Sequence, residues 1–362
     1  MFDKMFRKRS DDIMPIDPEI LSPESRKLED DLLKKVIGQD RAVHQLVHTY
    51  QIFRSGLQTP HKPLGVLLFL GPTGSGKTKL VESLAECIFG SSEAMIKIDC
   101  AEFSHDHEIA KLIGAPPGYL GHGKTEPRLT QQLLNKHHRP DLKLSILLFD
   151  EIEKGCEDLH HMMLGIMSAA KLTLGDNTVV DLSNTLIIMT SNEGSGDMQK
   201  IITGGGLGFT SEVSTDAEID DLLWQTAKDA LKKKFAPEFV NRISRSIVFH
   251  TLNEESLKKI ADIEIEAIQD RILLAGYFIL LRVTDAAKDY IRKEGTDPIY
   301  GARELNRALD HLLVEPMSNL LATKQVTSRD MLIADYESGT KLIFTKMEGV
   351  IDPPPEPNDP PE

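Results

Sequence analysis

The stretch "GPTGSGKT", Gly71 to Thr78, constrains this chain more than any other. It fits G-x-x-x-x-G-K-[ST] and stands between the apolar run "LGVLLFL" and the helical "KLVESLAECIF". A strand with apolar residues at every position is buried on both faces, which implies a parallel sheet covered by helices. In Gly71, Pro72, Thr73, Gly74, Ser75 and Gly76 the glycines let backbone N–H groups turn inward onto phosphate. The following helix adds its positive end. Lys77 is expected to reach the β- and γ-phosphates, and Thr78 to hold Mg²⁺.

Three more apolar runs, "AMIKID", "SILLFD" and "TLIIMT", alternate with helical stretches. That alternation predicts an α/β domain with a right-handed, mostly parallel sheet. "ILLFDE" supplies a second half to the phosphate site. Asp150 ends a buried strand, where its carboxylate can hold the Mg²⁺ shell, and Glu151 can orient and activate a water. Two acids at a strand end could instead cap a helix. Upstream, "KKVIGQD" offers Val36 and Ile37 as an apolar seat for a nucleotide base, unless they are simply core. No NKxD-like base-reading motif favours guanine, so the expected nucleotide is ATP.

Beyond about His250 the texture changes. "NEESLKKIADIEIEAIQDRI" puts Leu257, Ile260, Ile265, Ile268 and Ile272 near one helical face, with Asn253 as its N-cap. Helices are expected from Asp285 and from Ala302, followed by strand-like "KLIFTK". The division is therefore a 1–35 extension with one short helix, an ATPase domain over 36–249, and a smaller, mainly helical domain over 250–346. The Pro-rich acidic stretch 347–362 is read as a disordered tail.

Composition narrows the function classes. The net charge of −14 opposes a protein whose main task is gripping nucleic acid. Cys87, Cys100 and Cys156 form no CxxC pair, as in reduced, buried thiols of a cytoplasmic protein. The start "MFDKMFRKRSDD" lacks the apolar core of a secretory signal, and no apolar run approaches the ~18 residues of a membrane span.

Taken in order, "VIGQD", "GPTGSGKT", "GAPPGYLG", "ILLFDEIEK", "NTLIIMTSN", "FAPEFVNRI" and "DPIYGARELNRAL" resemble the Clp-type AAA+ ATPases, most closely the second ATPase module of ClpB, ClpA and ClpC. The resemblance covers about residues 36 to 345. It implies a P-loop AAA+ fold with a C-terminal lid and a homo-oligomeric ring, usually a hexamer, with ATP between neighbours. By the same resemblance Asn192 senses the γ-phosphate and attacking water, Arg242 is the arginine finger reaching the next subunit, and Arg303 is the lid's sensor. Gly301 would let the lid's turn approach closely. Two departures stand out. "NRISRSI" puts Ser244 and Arg245 where the family has acids, and the hairpin "KLTLGDNTVVDLSNT" loses the usual Gly-Arg pairs.

"GAPPGYLGHGKTEP" then occupies the place of the family's axial pore loop, so Tyr119 is expected to grip polypeptide. A tyrosine packed at a subunit edge is the plainer alternative. Leu207, Gly208 and Phe209 match the tripeptide with which peptidase-linked members dock on ClpP, or they pack locally in a Gly-rich turn. The expected function is an ATP-dependent unfoldase that threads polypeptide through a pore. Two other readings stay open: the ATPase subunit of a ClpP-like protease, and a remodeller of a specific protein or nucleic-acid complex.

Overall fold

The computed structural model describes residues 17–115, 126–202, 216–296 and 301–349. The apolar runs form β1 (Gly65–Leu70), β2 (Ile96–Asp99), β3 (Ser145–Asp150) and, beyond the hairpin strands β4 (Lys171–Thr173) and β5 (Val179–Asp181), β6 (Thr185–Ser191). β7 (Arg245–Val248) completes a parallel five-stranded sheet ordered β2-β3-β6-β1-β7. The continuous apolar pattern has a simple cause, because each inner strand serves two cores. Val66, Leu68 and Leu70 of β1, Leu147 and Phe149 of β3, and Ile187 and Met189 of β6 enter one cluster with Phe103 and Phe239. The alternate residues Leu67, Phe69, Ile146, Leu148, Leu186 and Ile188 enter the other, with Leu46, Leu84 and Phe249.

The N-terminal helix Pro23–Lys35 belongs to that second core. Its Leu28 and Leu32 are buried against Val43, Leu46 and Val47 of the helix Asp40–Arg54. Ser22 caps it by accepting from Ser25 N–H at 3.2 Å, and Pro23 occupies the first turn, where a missing N–H does no harm.

The C-terminal part has its own core of Leu257, Ile265, Ile268, Ile272, Ile291, Leu305, Leu309 and Leu332. Its long helix, Glu254–Leu274, starts where the sequence places it, with Asn253 accepting from Ser256 N–H at 2.8 Å. Helices Asp285–Glu294 and Ala302–Leu309 follow. A three-stranded sheet accompanies them, formed by β8 (Leu280–Val283) parallel to β9 (Met331–Asp335) and by β10 (Ile343–Met347) antiparallel to β9. Of the three thiols only Cys100 is fully buried, while Cys87 and Cys156 are half-buried. Among the described residues, no helix is long and apolar enough to cross a membrane.

Candidate functional site

Register brings the expected residues together. Leu70 of β1 lies opposite Ser191 of β6, and Phe149 of β3 opposite Met189. The strand ends carrying the Gly71 loop, Asp150 and Asn192 therefore meet at one edge, the crevice outside the carboxyl ends of a parallel sheet. A cavity of about 510 Å³ opens there, lined by the loop, both carboxylates, Asn192 and the lid's Arg303. Val36, Ile37, Leu252, Ile260 and Ile263 also line it, so the cavity carries apolar as well as polar wall.

The loop is shaped as its glycines require. Gly74 and Gly76 have φ of 75° and 97°, and a Cβ on Gly76 would meet nothing within 4 Å, so its face stays open. Gly71, with φ 149°, passes so close to β7's end that a Cβ would lie 2.5 Å from Phe249 O. Gly71 and Pro72 do not line the cavity. Their carbonyls instead accept from Lys77 Nζ at 2.7 and 2.8 Å. Ser75 Oγ is buried and has no hydrogen-bond partner, a polar atom in want of one beside the cavity.

Lys77 is buried, and burial pulls its pKa from 10.5 down to about 8 against the nearby carboxylates. It also donates to Asn192 Oδ1 at 2.8 Å, while Asn192 Nδ2 donates to Glu151 Oε1 at 3.3 Å. That orientation of the amide follows from chemistry, since an ammonium can only donate and a carboxylate only accept. One side chain thus connects the phosphate-loop lysine to the expected base. The other oxygen of Glu151, Oε2, takes an ion pair from Lys154 at 2.5 Å. Glu151 itself sits in left-handed backbone, φ 55° and ψ 52°, a strained conformation for a side chain of this kind. Its N–H donates to Thr190 Oγ1 at 2.9 Å, which holds the turn.

Asp150 accepts from Thr78 Oγ1 at 3.2 and 3.3 Å and also from Thr190 Oγ1, with Lys97 Nζ 3.5 Å away. A carboxylate and a hydroxyl side by side on the cavity wall are the hard oxygen donors that suit Mg²⁺, so the residues present fit that ion. The lid closes the site through backbone. Gly301 has φ 53°, Ala302 N–H donates to Gly74 O at 3.3 Å, and a Cβ on Gly301 would lie 2.9 Å from that carbonyl.

Arg242 is not brought to this cavity. It is exposed at the end of the helix Pro237–Arg242 and lines a separate groove with Lys62 and Gln58. Ser244 beside it ties β7's approach to β1, donating its N–H to Val66 O at 2.8 Å and accepting from Val66 N–H at 3.2 Å. Tyr119 and the Leu207-Gly208-Phe209 tripeptide lie outside the described residues.

Five residues that sequence reasoning did not single out belong to the site: Gln39, Lys97, Glu153, Lys154 and Thr190. Gln39, buried inside "VIGQD", donates through Nε2 to Ser75 O and His250 O, at 3.0 and 2.9 Å, and accepts from His250 N–H at 3.1 Å. Glu153 accepts from Asn192 N–H at 3.1 Å. A polar residue directly after the apolar pair Val36-Ile37 and Gly38 is the available signal for Gln39.

Comparison with known proteins matches both parts of the chain. The model of the AAA domain (Cdc48 subfamily) matches residues 62–246, and that of the C-terminal, D2-small domain of ClpB protein matches residues 252–333. The chaperone protein ClpB of Rhodopirellula baltica is 35% identical over 318 residues, covering 88% of this chain and 34% of that protein. The ATP-binding subunit ClpC of the Clp protease of Staphylococcus aureus is 40% identical over 306 residues, covering 84% and 36%. A closed-state cryo-EM structure of Hsp104 with ATPγS and FITC casein aligns with a TM-score of 0.72 at 31% identity, over 91% of this chain and 53% of that one. The chain therefore spans about a third of the length of the curated relatives it matches.

Proposed function

This chain belongs to the Clp-type AAA+ ATPases, and from that we propose that it is an ATP-driven motor that unfolds polypeptide by drawing it through the pore of a homo-oligomeric ring. The observation carrying the proposal is the chain of contacts from Lys77 through Asn192 to Glu151 in a cavity closed by the lid. It links the group that meets phosphate to the group that activates water.

In this reading Val36, Ile37 and the lid's apolar residues hold the base, and Thr73 to Thr78 cradle the phosphates, while the carbonyls of Gly71 and Pro72 position Lys77. Thr78 and Asp150 hold Mg²⁺, which supplies neutralisation of the phosphate charge. Glu151, strained and held from both sides, accepts the proton of the attacking water. Asn192 aligns that water, and Arg303 reads the nucleotide from the lid. Arg242, exposed and lining a groove other than its own nucleotide cavity, supports completion of the site by a neighbouring subunit, as does the ring of the family. The domain division at about residue 250 rests on the separate core beyond it.

Tyr119 is proposed as the pore contact, and Leu207-Gly208-Phe209 as the anchor for a ClpP-like peptidase. The free thiols of Cys87, Cys100 and Cys156 favour the cytoplasm as compartment. The test is ATP turnover together with unfolding of a tagged fluorescent protein, with and without ClpP. Glu151→Gln should bind ATP but barely turn it over, and equal turnover would remove Glu151 as base. Tyr119→Ala should keep turnover and lose unfolding. Unfolding that survives in Tyr119→Ala would refute the pore assignment, and ClpP that neither binds nor degrades would remove the peptidase partner.

A further inference from the structure

We propose that His44 and His48 form a binding site for one divalent transition-metal ion of the zinc class, on the outer face of the helix Asp40–Arg54 and braced by Glu29. The two histidines are one helical turn apart, so their side chains project from the same face. That face points away from the core, because Val43, Leu46 and Val47 occupy the buried one.

The two rings share an N–H···N hydrogen bond between their Nε2 atoms, and a metal ion would displace that proton and bridge the same two nitrogens. His44 Nε2 and His48 Nε2 stand 3.0 Å apart, with the rings inclined at 82°. Two Zn–N bonds of about 2.0–2.1 Å at the tetrahedral angle separate their nitrogens by about 3.3 Å, a few tenths of an ångström more than the hydrogen-bonded rings show. The ring centroids are only 4.4 Å apart, so the two rings do not meet end to end along a common line.

The third feature concerns the proton. His44 Nδ1 lies 2.6 Å from Glu29 Oε1 on the neighbouring helix Pro23–Lys35. A carboxylate there favours the tautomer with the proton on Nδ1, in which Nε2 accepts from His48 and would turn its lone pair to a metal once that proton leaves, the usual bracing of a metal-bound imidazole. No group of three or more metal-ligating side chains converges among the described residues, so water completes the coordination and the ion exchanges. Imidazole nitrogens select zinc, nickel or copper over Mg²⁺, which separates this site from the nucleotide cavity. Through Glu29 and His44 the ion would tie the N-terminal helix to its neighbour, directly before Val36 and Ile37.

The test is isothermal titration of ZnCl₂ alone into the full chain, without nucleotide and with excess Mg²⁺. One zinc per chain is expected. His44→Ala and His48→Ala should each weaken binding at least tenfold, and Glu29→Gln about tenfold. Unchanged zinc affinity in the double histidine variant, or no zinc binding by the unaltered chain, overturns the site. Should a variant fail to fold, histidine-ring NMR of the unaltered chain decides. Shifts at His44 and His48 are expected on adding zinc, and shifts confined to the other ten of the twelve histidines would refute the assignment.

Discussion

Replacing Gln39 with leucine tests whether the nucleotide loop is held in place by tertiary hydrogen bonds as well as by its own glycines. Gln39 is 2% exposed and its amide makes three bonds, to Ser75 O, to His250 O and from His250 N–H. Leucine keeps most of the volume and removes all three. At about 1 kcal/mol net for each, the loss is about 3 kcal/mol, more if the backbone groups stay buried and unmatched. For a domain of this size that lowers the melting temperature by roughly 6–12 °C. The same change frees Ser75 from the strand end at His250, so ATP affinity should fall as well. Urea or thermal unfolding read by circular dichroism, paired with binding of a fluorescent ATP analogue, measures both. Gln39→Glu should be at least as damaging near neutral pH, because a carboxylate oxygen would face two carbonyls, and should recover as acid protonates it. A Gln39→Leu chain within about 0.5 kcal/mol of the original, with unchanged ATP affinity, would refute the reasoning.

Further outcomes follow from the site. Lys77 has its pKa depressed to about 8 when folded and 10.5 otherwise, so between those values the unfolded chain binds the extra proton. Stability should therefore rise with pH through that window, by up to about 3 kcal/mol, and Lys77→Met should flatten the slope in pH-dependent unfolding while abolishing ATP binding. Gly301→Ala puts a Cβ 2.9 Å from Gly74 O in a backbone conformation suited to glycine. A strain of about 1–3 kcal/mol between lid and loop should weaken ATP binding by roughly 5–150-fold, measurable by titration. Lys154→Ala removes the ion pair from Glu151 Oε2, and since that lysine is half-exposed, kcat should drop less than about tenfold with KM for ATP little changed.

Much of the fold could be read from local pattern. "SILLFD" is β3 to the residue, "TLIIMT" falls within β6, and the helix after Asn253 begins where its cap says. The phosphate loop was legible for the same reason, since its chemistry lies within eight consecutive residues. Short strands with mixed polarity were not. Arg245–Val248 alternates exposed, half-buried and buried positions, and Leu280–Val283 is at most half-buried, so neither carries the run that marked the inner strands. Of the lid's three strands only β10 is legible, as "KLIFTK", while β8 and β9 carry no fully buried apolar run. Cys87 and Cys156 proved half-buried because a small apolar side chain does not reveal its depth in sequence.

The chain's own sequence determined which segments become inner strands, where the phosphate loop turns and how the lid's first helix is capped, all effects carried by residues a few positions apart. The strand order β2-β3-β6-β1-β7 decided the rest. It sets Asn192 against Lys77 across 115 positions, Thr190 against Asp150 across 40, and Gln39 against His250 across 211. It also leaves Arg242 on the surface, outside the lining of its own cavity. Those contacts depend on which strands lie side by side and in what register, and no local periodicity encodes that choice.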